Sequence, residues 1–339
     1  MSMINRQFRL KSRPAREEFV KPQHFEMYQQ PVPQIQKGEV LVRVLYIGLA
    51  PSARVWLSEE QRFGQQIAIG DVMRGTGLGR VVESRSSKYV EGELVQGSLG
   101  WQDYAVFHEH QSHGYTRYPF EPPMSLSKLL SACSGNGLLA YAGVTWAAPQ
   151  PGETFVVTSA AGAIGSLAGQ IAKIHGARVI GITNGAGKCS FLLKELGFDG
   201  AIDYKTEHWR RELEAATPDG IHVSFESVGG AAMRAVQSRM VVGGRVALSG
   251  FMPNHHESQA YGVDLALVLA KQLTLRGLHA NADPHPENAI QALIGWLQDG
   301  RLKLWETIIE GLEQAPDTLS RMLDGRTNSL SGRIVIHVS

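Results

Sequence analysis

The chain has 339 residues, enough for about two domains, and its 33 basic and 32 acidic residues leave a formal net charge of +1. No basic block stands out, so nothing points to nucleic acid or an acidic membrane surface as a partner. No apolar run approaches the roughly 20 residues that span a bilayer. Met1 to Phe8 holds no apolar signal core, and the two cysteines, Cys133 and Cys189, cannot form a disulfide framework, so a cytoplasmic protein is expected.

In chain order, Glu39–Gly48, Val72–Ser84 and Gly100–Phe107 read as strands, punctuated by Pro and Gly and free of long helices. This pattern predicts a compact, partly open β-barrel over residues 1–125. His108, His110 and His113 follow. In a strand, His108 and His110 would share a face and suit a metal; the alternative is a solvated, polar barrel edge. Two isolated cysteines cannot build a four-cysteine zinc site, so no metal is expected. Pro119, Pro122 and Pro123 mark a connection. Leu126 to Thr145, rich in Leu and Ala, predicts helices, and Pro149 to Gly152 turns the chain.

Phe155–Thr158 is a short apolar, β-prone run, followed at once by the turn Ser159 to Gly165. Ile164, Leu167, Ala168, Ile171 and either Ile174 or His175 then fall at helical spacing, and Arg178–Ile182 reads as a second strand. A βαβ unit of this kind offers the unpaired N–H groups of its helix to a pyrophosphate. Gly162 would let the backbone approach the phosphates, and Gly165 would let the helix lie close to the strand. Ser159 and Ala163 stand where glycines are usual; the flanking strand and helix supply the specificity that the glycines alone lack. Further strands near Ala201–Tyr204, Ile221–Glu226, Arg245–Ser249 and Leu273–Leu278 alternate with helices, which predicts a parallel, doubly wound α/β sheet over 126–307. After a helix at Glu287–Gln298 the chain is expected to return to the barrel over 308–339, ending in the strand Arg333–Val338.

The end of the second cofactor strand bears on which dinucleotide is held. An NAD-preferring unit carries Asp or Glu there; this chain has Thr183-Asn184-Gly185, with Lys188 one turn later and Tyr204 ending the third strand. A lysine and a phenol converging on this point would favour the 2′-phosphate of NADPH. The alternative is a solvated lysine at a helix start and an ordinary strand-end aromatic, although a lysine in a first turn opposes the helix dipole unless an anion sits nearby. Cys189, beside Lys188, is either a thiol of lowered pKa or a packing residue.

The segments Val156–Ile174 (VVTSAAGAIGSLAGQIAKI), Lys188–Tyr204 with its KELGFDGAIDY, Pro218–Gly230 (PDGIHVSFESVGG), Gly100–Tyr104 (GWQDY), Met73–Gly75 with Gly79–Val82, and Asn328 with Gly332–Val335 occur in a fixed order over nearly the whole chain. In this the chain resembles the zinc-free branch of the medium-chain dehydrogenases/reductases, the prostaglandin, 2-alkenal and curcumin reductases. The resemblance implies a GroES-like barrel closed by both chain ends, with a Rossmann domain inserted, and a homodimer in which Leu273–Leu278 lies at an exposed sheet edge. It implies cofactor contacts from Gly162, Ala163, Ile164, Gly165, Thr183, Asn184, Lys188, Tyr204, Ser227, Gly250 and Asn328.

For activity, the resemblance implies NADPH-dependent reduction of the carbon–carbon double bond of α,β-unsaturated aldehydes and ketones, a small-molecule reaction. Attack at the β-carbon creates an enolate, which needs a donor at its oxygen and a proton at the α-carbon. Two tyrosines commonly line the family's site. Here the matching runs are Ala50-Pro51-Ser52-Ala53-Arg54 and Gly250-Phe-Met-Pro-Asn-His255, so Ser52 and His255 replace them. Ser52, Arg54 and His255 are therefore the candidate catalytic residues; His255 is either a hydrogen-bond donor of a side-chain type that allows proton transfer near neutrality, or a surface histidine on a loop. Two other readings stay open: a reductase of quinones, suggested by the altered pocket, and a non-catalytic NADPH-binding protein.

Overall fold

The computed structural model describes residues 3–15, 18–58, 66–118, 121–250, 262–279, 286–324 and 332–338. The chain divides into two compact units, Met1–Ser134 with Glu306–Ser339, and Gly135–Trp305. The first unit begins with β1 (Ile4–Leu10), which pairs antiparallel with β2 (Phe25–Pro31). β3 (Glu39–Gly48), the short α1 (Ala53–Leu57), β4 (Thr76–Ser84), β5 (Leu94–Ser98), β6 (Tyr104–His108), β7 (Thr116–Tyr118) and α2 (Leu126–Cys133) follow.

The second unit opens with α3 (Gly135–Ala147) and continues through β8 (Thr154–Thr158), α4 (Gly165–Ile174), β9 (Arg178–Thr183), α5 (Ala186–Lys194), β10 (Gly200–Asp203), α6 (Trp209–Ala216), β11 (Ile221–Glu226), α7 (Gly230–Arg239), β12 (Met240–Leu248), α8 (Leu265–Ala270), β13 (Thr274–Gly277) and α9 (Pro286–Gln298). Its six strands are all parallel, in the order β10-β9-β8-β11-β12-β13. That is the doubly wound order 3-2-1-4-5-6, whose direction reverses between β8 and β11 and opens a crevice at their carboxyl ends. Every residue of β8 is buried, as expected of a parallel strand covered on both faces. Val156, Ile180, Ile182, Ile202, Phe225 and Val246 fill this sheet's interior.

The chain then returns to the first unit as β14 (Glu306–Glu310), α10 (Ala315–Leu323) and β15 (Arg333–His337). There the sheet runs β14-β15-β3-β4-β5-β7, with β6 also on β3; all pairs are antiparallel except β14 with β15. Trp101, Ile47, Leu57, Val95, Leu319 and Ile336 form its core. α2 is fastened to the returning strand: the Ser127 and Ser131 hydroxyls donate to the two oxygens of Glu306 at 2.6 and 2.8 Å. The pairing of a GroES-like barrel with a Rossmann sheet is the fold class read from the sequence. No helix among the described residues is long and apolar enough to cross a membrane.

Candidate functional site

The glycine loop runs from the buried end of β8 to the start of α4. Ser159 stands at φ 52°, a left-handed conformation unusual for a residue with a Cβ, at a position where the sequence lacks the usual glycine. The turn is closed by Gly162 N donating to Ser159 O at 2.8 Å, and Ala160 N donates to Ile182 O at 3.0 Å, tying the loop to β9. A Cβ on Gly165 would lie 2.5 Å from Ser159 O and 3.0 Å from Ala160 Cα, so only glycine lets α4 start this close to the strand. Ala163 and Ile164 form the half-exposed rim beside Gly162. The arrangement leaves the first N–H groups of a ten-residue helix at the crevice.

At the far end of β9, Thr183 is buried and Tyr204 N donates to Thr183 O at 3.0 Å, so the phenol-bearing residue stands beside the strand end, 45% exposed. Lys188 is the third residue of α5, and its Nζ donates to Asn184 Oδ1 at 3.1 Å. Its described partner is thus an amide. Burial and the neighbouring Lys205 hold its pKa below the ordinary lysine value. Open space surrounds this corner: a Cβ added to Gly185 or Gly187 meets nothing within 4 Å. Two lysines, an amide and a phenol-bearing residue thus stand near an open helix start, groups of a chemistry that suits a dianion. Lys205 is missing from the sequence reading, although it directly follows Tyr204 at the strand end.

Across the switch point, the Ser227 and Ser249 hydroxyls lie 2.6 Å apart, and Ser249 N donates to Glu226 O at 2.9 Å. Gly250 follows, with Ser227 O 3.9 Å from where its Cβ would be. The structure therefore brings Gly162, Gly165, Thr183, Asn184, Lys188 and Tyr204 to the carboxyl ends of β8, β9 and β10, and Ser227 and Gly250 to those of β11 and β12. His255 and Asn328 lie outside the described residues.

In the first unit, Ser52 is exposed and caps α1 through its backbone, Val55 N donating to Ser52 O at 3.0 Å. Arg54 is half-buried and donates to Ala15 O at 3.2 Å; burial lowers its pKa, opposed by Glu18. Ser52 and Arg54 are two residues apart, so their side chains leave the turn in different directions. Arg333, beside the Asn328 segment, is wholly buried, donates to Leu49 O at 2.9 Å, and is pushed down to about 10 by desolvation.

The histidine run departs from its strand reading. β6 ends at His108, and His110 lies in a 3-10 segment, Glu109–Gly114, its ring stacked on His108 at 4.7 Å. The two rings therefore lie side by side by stacking past the strand end rather than by alternation along a strand. Among the described residues no group of three or more His, Cys, Asp or Glu side chains could hold a metal ion. Burial pushes the Cys133 thiol up to about 12. Cys189 is raised by burial and by Asp203 and Glu212, so Lys188 does not activate it.

Residues 6–114 match the family model described as the N-terminal domain of oxidoreductase, and residues 163–299 match that described as zinc-binding dehydrogenase. The NADPH-dependent curcumin reductase of Escherichia coli is 33% identical over 327 residues, 94% of this chain and 93% of that protein. Prostaglandin reductase 1 of Mus musculus is 33% identical over 310 residues, 89% of this chain and 91% of its own. The crystal structure of CurA from Vibrio vulnificus in complex with NADPH superimposes with a TM-score of 0.88 at 31% identity, covering 98% of this chain and 99% of that one.

Proposed function

Since the chain belongs to the medium-chain dehydrogenase/reductase family, in the branch of the curcumin, prostaglandin and 2-alkenal reductases, we propose that it uses NADPH to reduce the conjugated double bond of enals and enones. The observation that carries the cofactor reading is the basic corner at the ends of β9 and β10, where Lys188 has an amide partner and Lys205 for a neighbour. The substrate class rests on kinship with reductases of conjugated carbonyl compounds.

NADPH, when bound, supplies the hydride for the substrate's β-carbon. The chain's part is to hold and to orient. The end of the Gly162–Gly165 turn and the first turn of α4 take the pyrophosphate, Gly162 leaving the backbone room to approach it and Ala163 and Ile164 forming its rim. Lys188, Lys205 and Tyr204 take the 2′-phosphate, and Thr183 and Asn184 shape the ribose edge. Ser227, Gly250 and, by its motif, Asn328 are assigned to the nicotinamide end. His255 is assigned as the donor to the developing enolate oxygen, replacing the family tyrosine, and Ser52 and Arg54 as polar groups of the substrate wall. The same proposal includes a cytoplasmic homodimer. Among the described residues β13 is the last strand of its sheet, with no further strand on its outer edge, while Leu265 and Leu269 of α8 are 74% and 82% exposed.

One observation favours a second reading, reduction of quinones: both tyrosine positions have changed, to Ser52 and His255. The test is to mix protein and NADPH with a panel of enals, enones and quinones and to identify the products. Saturated carbonyl products support the proposal. Turnover of quinones alone supports the second reading, and NADPH binding without turnover refutes both. His255→Ala should lower turnover on the best enone by about 10²-fold, the usual scale for one such donor. Unchanged turnover and pH profile would remove His255 from the site.

A further inference from the structure

Two strands flank the switch point, and one carboxyl oxygen joins their ends. Glu226 closes β11 and is 1% exposed. Its Oε1 accepts from Thr158 Oγ1 at the end of β8 at 2.8 Å, from Val228 N at 2.7 Å and from Gly229 N at 2.8 Å. Thr158 Oγ1 in turn accepts from Ser227 N at 2.9 Å. Two side chains therefore satisfy three consecutive amides ahead of α7, a turn whose N–H groups have no ladder to join.

The other carboxyl oxygen, Oε2, is buried and has no hydrogen-bond partner among the described residues. An ionised carboxylate with one bare buried oxygen is costly. Burial accordingly raises the pKa of Glu226 above its ordinary 4.5, outweighing the hydrogen bonds from Gly229, Val228 and Thr158. A hydrophobic core has little use for such a group. Its place does: the 227–229 turn carries Ser227, whose hydroxyl meets that of Ser249 just past the end of β12, and Thr158 leads directly into the glycine loop.

We propose that Glu226 is a positioning residue of the dinucleotide crevice: its single bonded oxygen fastens the Ser227–Gly229 turn to the end of the glycine-loop strand, so that the two walls keep a fixed spacing for the nicotinamide half of the cofactor. The inference rests on the NADPH reading above. Acceptor geometry does the work, and a neutral isostere suffices.

The experiment compares Glu226→Gln and Glu226→Ala with Leu213→Ala, a core truncation in α6 that serves as a control for general loss of stability. NADPH and NADH dissociation constants, turnover, and amide exchange at Val228 and Gly229 are measured for each. In Glu226→Gln the amide oxygen still accepts all three donors, so affinity and turnover stay within about threefold of the parent, while Glu226→Ala weakens both nucleotides by about tenfold or more, as expected for freed hydrogen bonds. In Glu226→Ala the Val228 and Gly229 amides exchange faster, and in Leu213→Ala they do not. The ratio of NADPH to NADH affinity is the same in all variants, because the Lys188 corner is untouched. Parent-like binding by folded Glu226→Ala would overturn the proposal. So would Glu226→Gln losing turnover with affinity intact, which would assign a proton or a charge to this carboxyl instead. A parent that binds neither nucleotide refutes the cofactor reading, whereas the amide exchange still decides whether Glu226 fastens the turn.

Discussion

Removing Lys188 tests the basic corner directly. Its Nζ reaches Asn184 Oδ1 at 3.1 Å, and burial and Lys205 together lower its pKa, so the free protein holds an under-solvated cation beside a like charge. A phosphate dianion placed there gains one charge-assisted contact and relieves that repulsion. A hydrogen bond to a charged group contributes about 1.5–3 kcal/mol, and each 1.4 kcal/mol or so is roughly tenfold in binding. Lys205 and Tyr204 remain in Lys188→Ala and retain part of the site, so the lower half of that range applies. The expected effect is a rise of about 10- to 40-fold in KM for NADPH, with KM for NADH moving by less than about threefold. The effect should shrink as ionic strength rises, because exposed Tyr204 and the open helix start leave the site within reach of salt. Initial rates with both cofactors, at low and high salt, decide it. Equal losses with the two cofactors, or a parent that uses both equally, would refute the reasoning; Lys205→Ala should show the same selectivity with a smaller effect.

Other outcomes are expected. Activity should survive prolonged treatment with a strong chelator, since no metal-holding cluster occurs among the described residues; loss reversed only by zinc would contradict this. Ser159→Gly should stabilise the protein, because relief of the left-handed conformation at φ 52° is worth about 1–2 kcal/mol and added chain entropy costs about 0.5–1; a lower denaturant midpoint would show that the serine side chain contributes more than its strain. Glu226 has a raised pKa, so as pH rises above its ordinary 4.5 the unfolded chain ionises first. Its contribution to stability is therefore full below 4.5 and declines above it until the folded carboxyl ionises too. Denaturant titrations from about pH 4 to pH 8 should show that decline in the parent and its absence in Glu226→Gln; matching profiles would mean that the carboxyl is already ionised in the fold.

Much of the parallel sheet was legible because its strands are buried on both faces and its helices on one. Such strands read as unbroken apolar runs, and the helix after Ser159–Gly165 reads by its 3.6-residue period. β1 was missed for the opposite reason. Its residues Ile4–Leu10 carry buried Asn5 and Gln7, whose amides are satisfied far away in sequence: Asn5 exchanges hydrogen bonds with the Tyr104 backbone at 2.8 and 2.9 Å, and Gln7 donates to Gln102 at 2.8 Å. Hydropathy cannot show a polar residue that a tertiary partner makes acceptable inside. Glu226 received no role of its own for the same reason: the sequence shows it only as the last residue of the strand Ile221–Glu226, and only the fold shows three donors converging on it. Lys188 and Tyr204 stood out since strand ends are where a parallel sheet presents its chemistry, but which cation neighbours Lys188 needed coordinates.

The clamp of α2 on Glu306 also bears on the order in which the chain can mature. Ser127 and Ser131 must wait for a partner 179 and 175 residues downstream, and Val335 must find Gly48 before β3 gains its second neighbour on that side. On a ribosome, everything from Gly135 to Trp305 emerges before either closing strand exists. The parallel sheet is made from one uninterrupted stretch and can assemble during synthesis, while β3 presents a bare edge to solvent or to a chaperone until the last segment appears. A nascent chain stalled after Trp305 should therefore resist protease through its later half and remain cleavable in its earlier one, the reverse of the usual sequence in which the first-made part settles first.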